Sequence, residues 1–231
     1  MRKPFLLVCL CFSLFFFSQT AISKNDSCVD CHRKQQGSKY LGHNYKDWEK
    51  SIHAKSGVGC EACHGGNAET PDPVKAHQGV LSSKDKNSKI YFQNVPATCG
   101  TCHTEELKEF ETSAHYKMLL RTGKGPNCLT CHGAMATTIL SYSDWDKTCS
   151  LCHGKPTQAA KALSLIRAIK ESLGSYQKEL ALRKGKTPEE FLRRYQEIQR
   201  KWHSFDVVFV SSESEKLLKE LKNARESLRK P

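Results

Sequence analysis

The apolar residues of this chain fall into two unlike patterns. Near the N-terminus they run almost without interruption from Phe5 to Phe17, behind Arg2 and Lys3 and ahead of the small residues Ala21-Ile22-Ser23. About 13 residues fall short of the ~20 that span a bilayer. Residues 1–23 are therefore expected to be a secretion signal cut after Ser23, an uncleaved anchor being the alternative. Toward the C-terminus the pattern becomes periodic. Leu163, Ile166, Ile169, Leu173, Tyr176 and Leu180 recur at steps of three and four, the mark of one face of a long helix. Lys184-Gly185-Lys186 breaks it, and Thr187-Pro188-Glu189-Glu190 reads as a capping box with Pro at the first helical position. A second stripe follows at Phe191, Tyr195, Ile198, Trp202, Phe205 and Phe209, and a third, shorter one at Leu217, Leu221, Ala224 and Leu228. Residues 156–231 are expected to form a helical region built on a long-helix hairpin, its stripes packed as core and offering a surface for a homo-oligomer.

Charge divides along the same boundary. Residues 24–154 hold 16 Lys/Arg against 14 Asp/Glu, whereas the chain from Lys155 onward holds 18 against 10. A basic excess raises the question of nucleic acid, but a secreted chain rarely meets any, and no nucleic-acid partner is expected. With the signal removed, no membrane span is expected either.

The stretch between the two apolar patterns, residues 24–155, carries ten cysteines; Cys9 and Cys11 leave with the signal. A secreted chain with ten cysteines would ordinarily be a disulfide scaffold. The spacing rejects that. Every one falls in the pattern Cys-x-x-Cys-His: Cys28/Cys31/His32, Cys60/Cys63/His64, Cys99/Cys102/His103, Cys128/Cys131/His132 and Cys149/Cys152/His153. This is the attachment signature of c-type haem: two thiols add to the two porphyrin vinyl groups, and the adjacent His becomes the proximal iron ligand. Zinc sites need clusters of four ligands with Cys or His at any of them, which gives no reason for a His after every second Cys. Five covalent haems are expected, each held by a cysteine pair. With so little chain per haem, the porphyrins themselves must supply much of the core. The expected fold class is mainly α, with much irregular chain wrapped around five stacked haems.

Five haems can take five further ligands, and five histidines stand outside the motifs: His43, His53, His77, His115 and His203. His53 and His115 occupy an internal repeat. Trp48-Glu49-Lys50-Ser51-Ile52-His53 leads the second motif as Phe110-Glu111-Thr112-Ser113-Ala114-His115 leads the fourth. These two are the strongest candidates for distal ligands. His77 follows in a loop punctuated by Pro71, Pro73 and Gly79, then His43 in Tyr40-Leu41-Gly42-His43, then His203 beside Trp202, which could equally be an exposed helical histidine. Met118 and Met135 are weaker candidates, better read as packing residues.

With the motifs placed, the chain resembles the multihaem cytochrome c superfamily, which includes hydroxylamine oxidoreductase, the ammonia-forming nitrite reductase and small tetra- and pentahaem carriers. The resemblance rests on the five motifs, the Ser51/His53 and Ser113/His115 leads, motifs followed by Gly65, Gly133 and Gly154, and a looser match through Trp202-His203-Ser204-Phe205-Asp206. It implies a mostly helical fold, low-potential bis-histidine haems in stacked and perpendicular pairs, and electron transfer. The nitrite reductases carry Lys for the proximal His at their catalytic haem, and no Cys-x-x-Cys-Lys occurs here; the chain is also short for those enzymes. Both departures weigh against catalysis. The expectation is a periplasmic electron carrier between a donor and a terminal reductase or outer conduit, docking on redox proteins with acidic surfaces. The alternatives are a reductase of a small nitrogen or sulfur oxyanion, and a structural subunit of a cytochrome filament or membrane complex.

Overall fold

The computed structural model describes residues 26–35, 45–137, 142–183 and 188–229. Segment 1–23, His43 and the expected helix break at Lys184–Lys186 lie outside them, as does Thr187 of the expected capping box. Among the described residues the regular secondary structure is entirely helical, in keeping with a mainly α class.

Among the described residues ten short helices lie between 27 and 150: α1 (Ser27–Lys34), α2 (Tyr45–Glu49), α3 (Ile52–Lys55), α4 (Cys60–His64), α5 (Pro73–Ala76), α6 (Val95–Gly100), α7 (Thr104–Thr112), α8 (Ala114–Thr122), α9 (Cys128–His132) and α10 (Tyr142–Ser150). Their brevity is written into caps and breakers. Asp72 starts α5 by accepting the Val74 and Lys75 N–H groups, with Pro73 as the first helical residue. Gly123 ends α8 in the left-handed region, φ 69°, donating its N–H to the Leu119 carbonyl.

The chain beyond Pro156 is different. Helix α11 (Thr157–Leu182), α12 (Glu189–Lys201), a 3-10 turn (Trp202–Ser204) and α13 (Val207–Arg229) pack together. Helix α13 lies against both α11 and α12. Ile169, Leu173, Tyr176 and Leu180 of α11 are buried, and meet Leu217 and Leu221 of α13 in one apolar cluster that includes Ile198 and Trp202. At each of the three- and four-residue steps the sequence placed an apolar side chain on the face that is covered.

Two expectations for this region need correction. The stripe from Phe191 to Phe209 is not one helix. It stops at Lys201, passes through the 3-10 turn, and Phe205 then takes a left-handed conformation, φ 59°. Asp206 restarts the helix, its carboxylate accepting the Phe209 N–H at 2.9 Å. The third helix is consequently long, beginning at Val207 rather than near Leu217. Apolar spacing carried across the break because both sides of it face the same core.

The two regions interlock. Helix α7 packs on α12 and on the Trp202–Ser204 turn. The Lys201 ammonium sits 2.8 Å from the Glu109 carboxylate, and Trp145 of α10 meets Trp202 edge-on at 5.5 Å.

Candidate haem sites

All five Cys-x-x-Cys-His motifs lie on or at the end of a helical turn, because only a turn brings residues one, four and five to the same side. Motifs one, two and four lie within α1, α4 and α9. Motif three runs out of α6, and motif five out of α10. In each of these the His N–H still closes a turn onto the first Cys carbonyl, at 3.0 Å for His103 and 2.9 Å for His153. Gly65 and Gly133 end their motif helices at φ 77° and 76°, and their N–H groups bond the Glu61 and Leu129 carbonyls. A Cβ at the next residue, Gly66, would come within 2.5 Å of the Ala76 carbonyl oxygen, which lets the α5 loop close over the motif.

The ten thiols of the motifs form no disulfide. They stand instead in a file that follows the order of the chain. Helix α1 packs on α4, α6 on α9, and α9 on α10. The remaining step, from motif two to motif three, brings Cys63 close enough to Cys99 and Cys102 to feel their charge. Cys99 and Cys128 share a hydrogen bond. Burial, followed by neighbouring negative charge, pushes the Cys28 thiol up to about 11 and the Cys60 thiol up to about 12. Burial with Cys149 nearby puts Cys131 at about 11. Asp26, Cys28 and Glu61 offer three ligand atoms within 4.8 Å of one another, but a Cys28 sulfur consumed in a thioether has no thiolate to give a metal.

The two cysteines of a pair are not equally covered. Cys31, the second cysteine of the first pair, is exposed on α1, whereas Cys28 is half-buried. The Cys31 sulfur accepts a hydrogen bond from Nε2 of Gln35, the residue that caps its helix, at 3.4 Å. Cys63, Cys102 and Cys152 are exposed in the same way, and Cys131 alone of the second cysteines is half-buried.

The histidines outside the motifs come to meet those inside. His77 faces His32 with ring centres 6.0 Å apart and planes 25° apart. His53 faces His103 at 6.0 Å and 66°, His115 faces His153 at 5.8 Å and 59°, and His203 faces His132 at 6.3 Å and 22°. Two imidazoles bound on opposite sides of one metal, with bonds of roughly 2.0–2.1 Å, have ring centres about 6 Å apart. The four pairs therefore fit an iron between each. His43 lies outside the described residues. Met118 is 46% exposed on α8, and four motif histidines already face an imidazole.

Local structure explains how the spare histidines are aimed. Ser51 and Ser113, both buried, cap α3 and α8 by accepting the N–H of Ala54 and Tyr116, each at 3.1 Å. The Ser of each repeat thus starts the helix that carries His two residues later. The pairing order was hidden from the sequence. His53 precedes motif two but meets motif three, and His115 precedes motif four but meets motif five. Each lead histidine reaches one motif further than the one it introduces.

The outer nitrogens fix the inner ones. His77 Nδ1 donates to the Pro73 carbonyl at 2.7 Å, and His203 Nδ1 to the Gln199 carbonyl at 3.1 Å. A carbonyl only accepts, so Nδ1 holds the proton and Nε2 keeps its lone pair for the metal. His53 Nδ1 pairs with the Thr137 hydroxyl at 3.0 Å. His115 Nδ1 is buried with no partner, and the Phe205 ring stands edge-on to it with centres 4.3 Å apart. Burial, followed by the charge of the facing histidine, lowers the His53 and His115 pKa values. Burial lowers that of His203 as well. All three are held toward the neutral form that binds iron. Sequence reasoning missed Thr137 and Phe205. Phe205 showed only as one member of an apolar stripe, and Thr137 had no signal.

Comparisons with known proteins agree with this geometry. A family model described as cytochrome c554 and c-prime matches residues 16–65. The chain is similar to the C-type polyheme cytochrome OmcB of Geobacter sulfurreducens (strain DL-1 / KN400), at 29% identity over 131 residues, 52% of this chain and 16% of that protein. It is also similar to the C-type polyheme cytochrome OmcC of the same species (strain ATCC 51573 / DSM 12127 / PCA), at 27% over 90 residues, 39% of this chain and 11% of that one. The matched stretch is thus less than a fifth of either relative. No solved structure matches. The motifs, the ring pairs and these similarities support a multihaem c-type cytochrome. No described helix is long and apolar enough to cross a membrane.

Proposed function

We propose that this protein is an exported, periplasmic carrier of five c-type haems that passes electrons between redox partners. The observation that carries this reading is the set of four imidazole pairs at 5.8–6.3 Å. Iron held on both faces by histidine offers a small molecule no position, so the chemistry left to it is electron exchange. Haem supplies that one-electron couple; the protein supplies axial ligands, burial and spacing. Cys28/Cys31, Cys60/Cys63, Cys99/Cys102, Cys128/Cys131 and Cys149/Cys152 attach the five groups. His32, His64, His103, His132 and His153 are the proximal ligands. His77, His53, His203 and His115 complete the first, third, fourth and fifth sites, and His43, the one spare histidine left, completes the second.

The docking face follows from charge. From Lys155 onward basic residues exceed acidic ones by eight, which favours an acidic partner and an association that weakens with salt. The similarity to polyheme cytochromes supports the class of function, not a partner.

The test is a low-temperature EPR spectrum of the oxidised protein, on a sample whose intact mass carries five haems. Every iron should be low-spin. Near-parallel imidazoles give a rhombic signal and steeply crossed ones a large g anisotropy. The two near-parallel pairs, at 22° and 25°, should therefore separate from the two crossed pairs, at 59° and 66°. A high-spin signal from one whole haem, together with rapid nitrite or hydroxylamine turnover by the reduced protein, would replace the carrier reading with the reductase one.

A further inference from the structure

The four distal histidines differ at the atom farthest from the iron. His77 donates to a backbone carbonyl at 2.7 Å, His203 to one at 3.1 Å and His53 pairs with a hydroxyl at 3.0 Å. Only His115 among them has a buried Nδ1 with no acceptor, and the Phe205 ring stands edge-on to this imidazole with centres 4.3 Å apart. An acceptor on Nδ1 gives the imidazole partial negative character and makes it a more basic ligand. A more basic ligand favours ferric iron and lowers the reduction potential. Taking the acceptor away does the reverse.

We propose that, of the four paired sites, the one formed by Cys149, Cys152, His153 and His115 has the highest reduction potential, and that Phe205 is the positioning residue that puts it there. This rests on the haem-ligand reading above. Conditions at the other end of the file point the opposite way. His77 makes the shortest of these bonds. The carboxylates of Asp26 and Glu61 crowd Cys28, where the first haem attaches, and their negative charge stabilises ferric iron. Because the motifs stand side by side in chain order, the two ends of the row differ in potential. An electron entering at the Cys28/Cys31 end gains stability by moving toward the Cys149/Cys152 end, beneath the basic C-terminal helices where an acidic acceptor would dock.

The experiment is a redox titration of the intact five-haem protein followed by EPR. Two variants identify the site. His115→Met alters the spectrum of one component, and that component should be the first reduced in the wild type. Phe205→Asn suits the left-handed backbone at φ 59° and brings a side-chain carbonyl to His115 Nδ1. It should lower that component's potential so that its electron-sharing equilibrium with its neighbours shifts about tenfold, ~59 mV for a one-electron couple. Phe205→Leu, apolar and without an acceptor, should leave it the first to be reduced. The proposal is overturned if the component altered in His115→Met is not the first reduced. It is overturned equally if Phe205→Asn, with all haems attached, titrates like the wild type. If Phe205→Asn does not assemble, His115→Met alone decides. A protein lacking haem at the motifs, or with His115→Met spectrally silent, would instead sink the ligand reading itself.

Discussion

The haem-bearing stretch and the C-terminal helices reach the folded state by different means. Beyond Pro156 the buried residues form one continuous cluster: Ile169, Leu173 and Tyr176 against Leu217 and Leu221, closed by Trp202. Upstream, Val29, Tyr45, Val95, Phe110 and Leu119 are buried outside that cluster, which takes in Trp145 alone of the buried upstream residues described. Helices of four to nine residues are too short to persist on local bonding, so something else must hold them. On the proposed reading that role falls to the porphyrins upstream, whereas in the tail ordinary side chains suffice. A cofactor that serves as core also makes assembly depend on its covalent attachment.

The largest expected effect follows from withholding haem. Full-length chain made without haem-ligation machinery should be cut by protease throughout residues 26–150 while a fragment close to 157–229 resists. Far-ultraviolet circular dichroism should retain helix of about the tail's share. Uniform resistance would mean that the upstream region has a core of its own and would break the contrast.

A smaller effect is expected from within the tail. Leu217 is completely buried, so Leu217→Ala should cost about 2–5 kcal/mol, read as a lower thermal midpoint, with five haems still attached in the cold. A loss near zero would show that the helices are held by the haem region rather than by each other.

The smallest concerns charge. Hydrogen bonds from Arg225 and Arg229 draw the Glu179 carboxyl down to about 2, with contacts of 2.7 and 3.0 Å. A depressed carboxylate stabilises the fold above its ordinary value and loses that contribution as pH falls through about 2. Glu179→Gln should therefore melt slightly below wild type at neutral pH, and the gap should close as the pH is lowered toward 2. A gap that stays constant would assign the effect to packing between α11 and α13.

Much of the chemistry could be read directly from the residues. Covalent attachment needs two cysteines and a histidine within five positions, a purely local requirement, so the five motifs and the expected cofactor were visible without any fold. The same holds for the Ser-x-His leads, whose Ser is a helix cap, and for the α11 stripe, where period and burial coincide. What the sequence did not contain was the meeting of segments far apart. Nothing in its spacing says that His115 passes over the nearby fourth motif to face His153, or that His203 returns from the end of α12 to face His132. Nor does the motif pattern tell Cys31, exposed on its turn, from the half-buried Cys131. The stripe through Trp202 and Phe205 likewise conceals the left-handed turn that sets an aromatic edge against His115. Bond-forming chemistry is decided by neighbours along the chain. Which imidazoles face one another, and what surrounds each, depends on how segments dozens of residues apart pack together, and only the tertiary structure decides that.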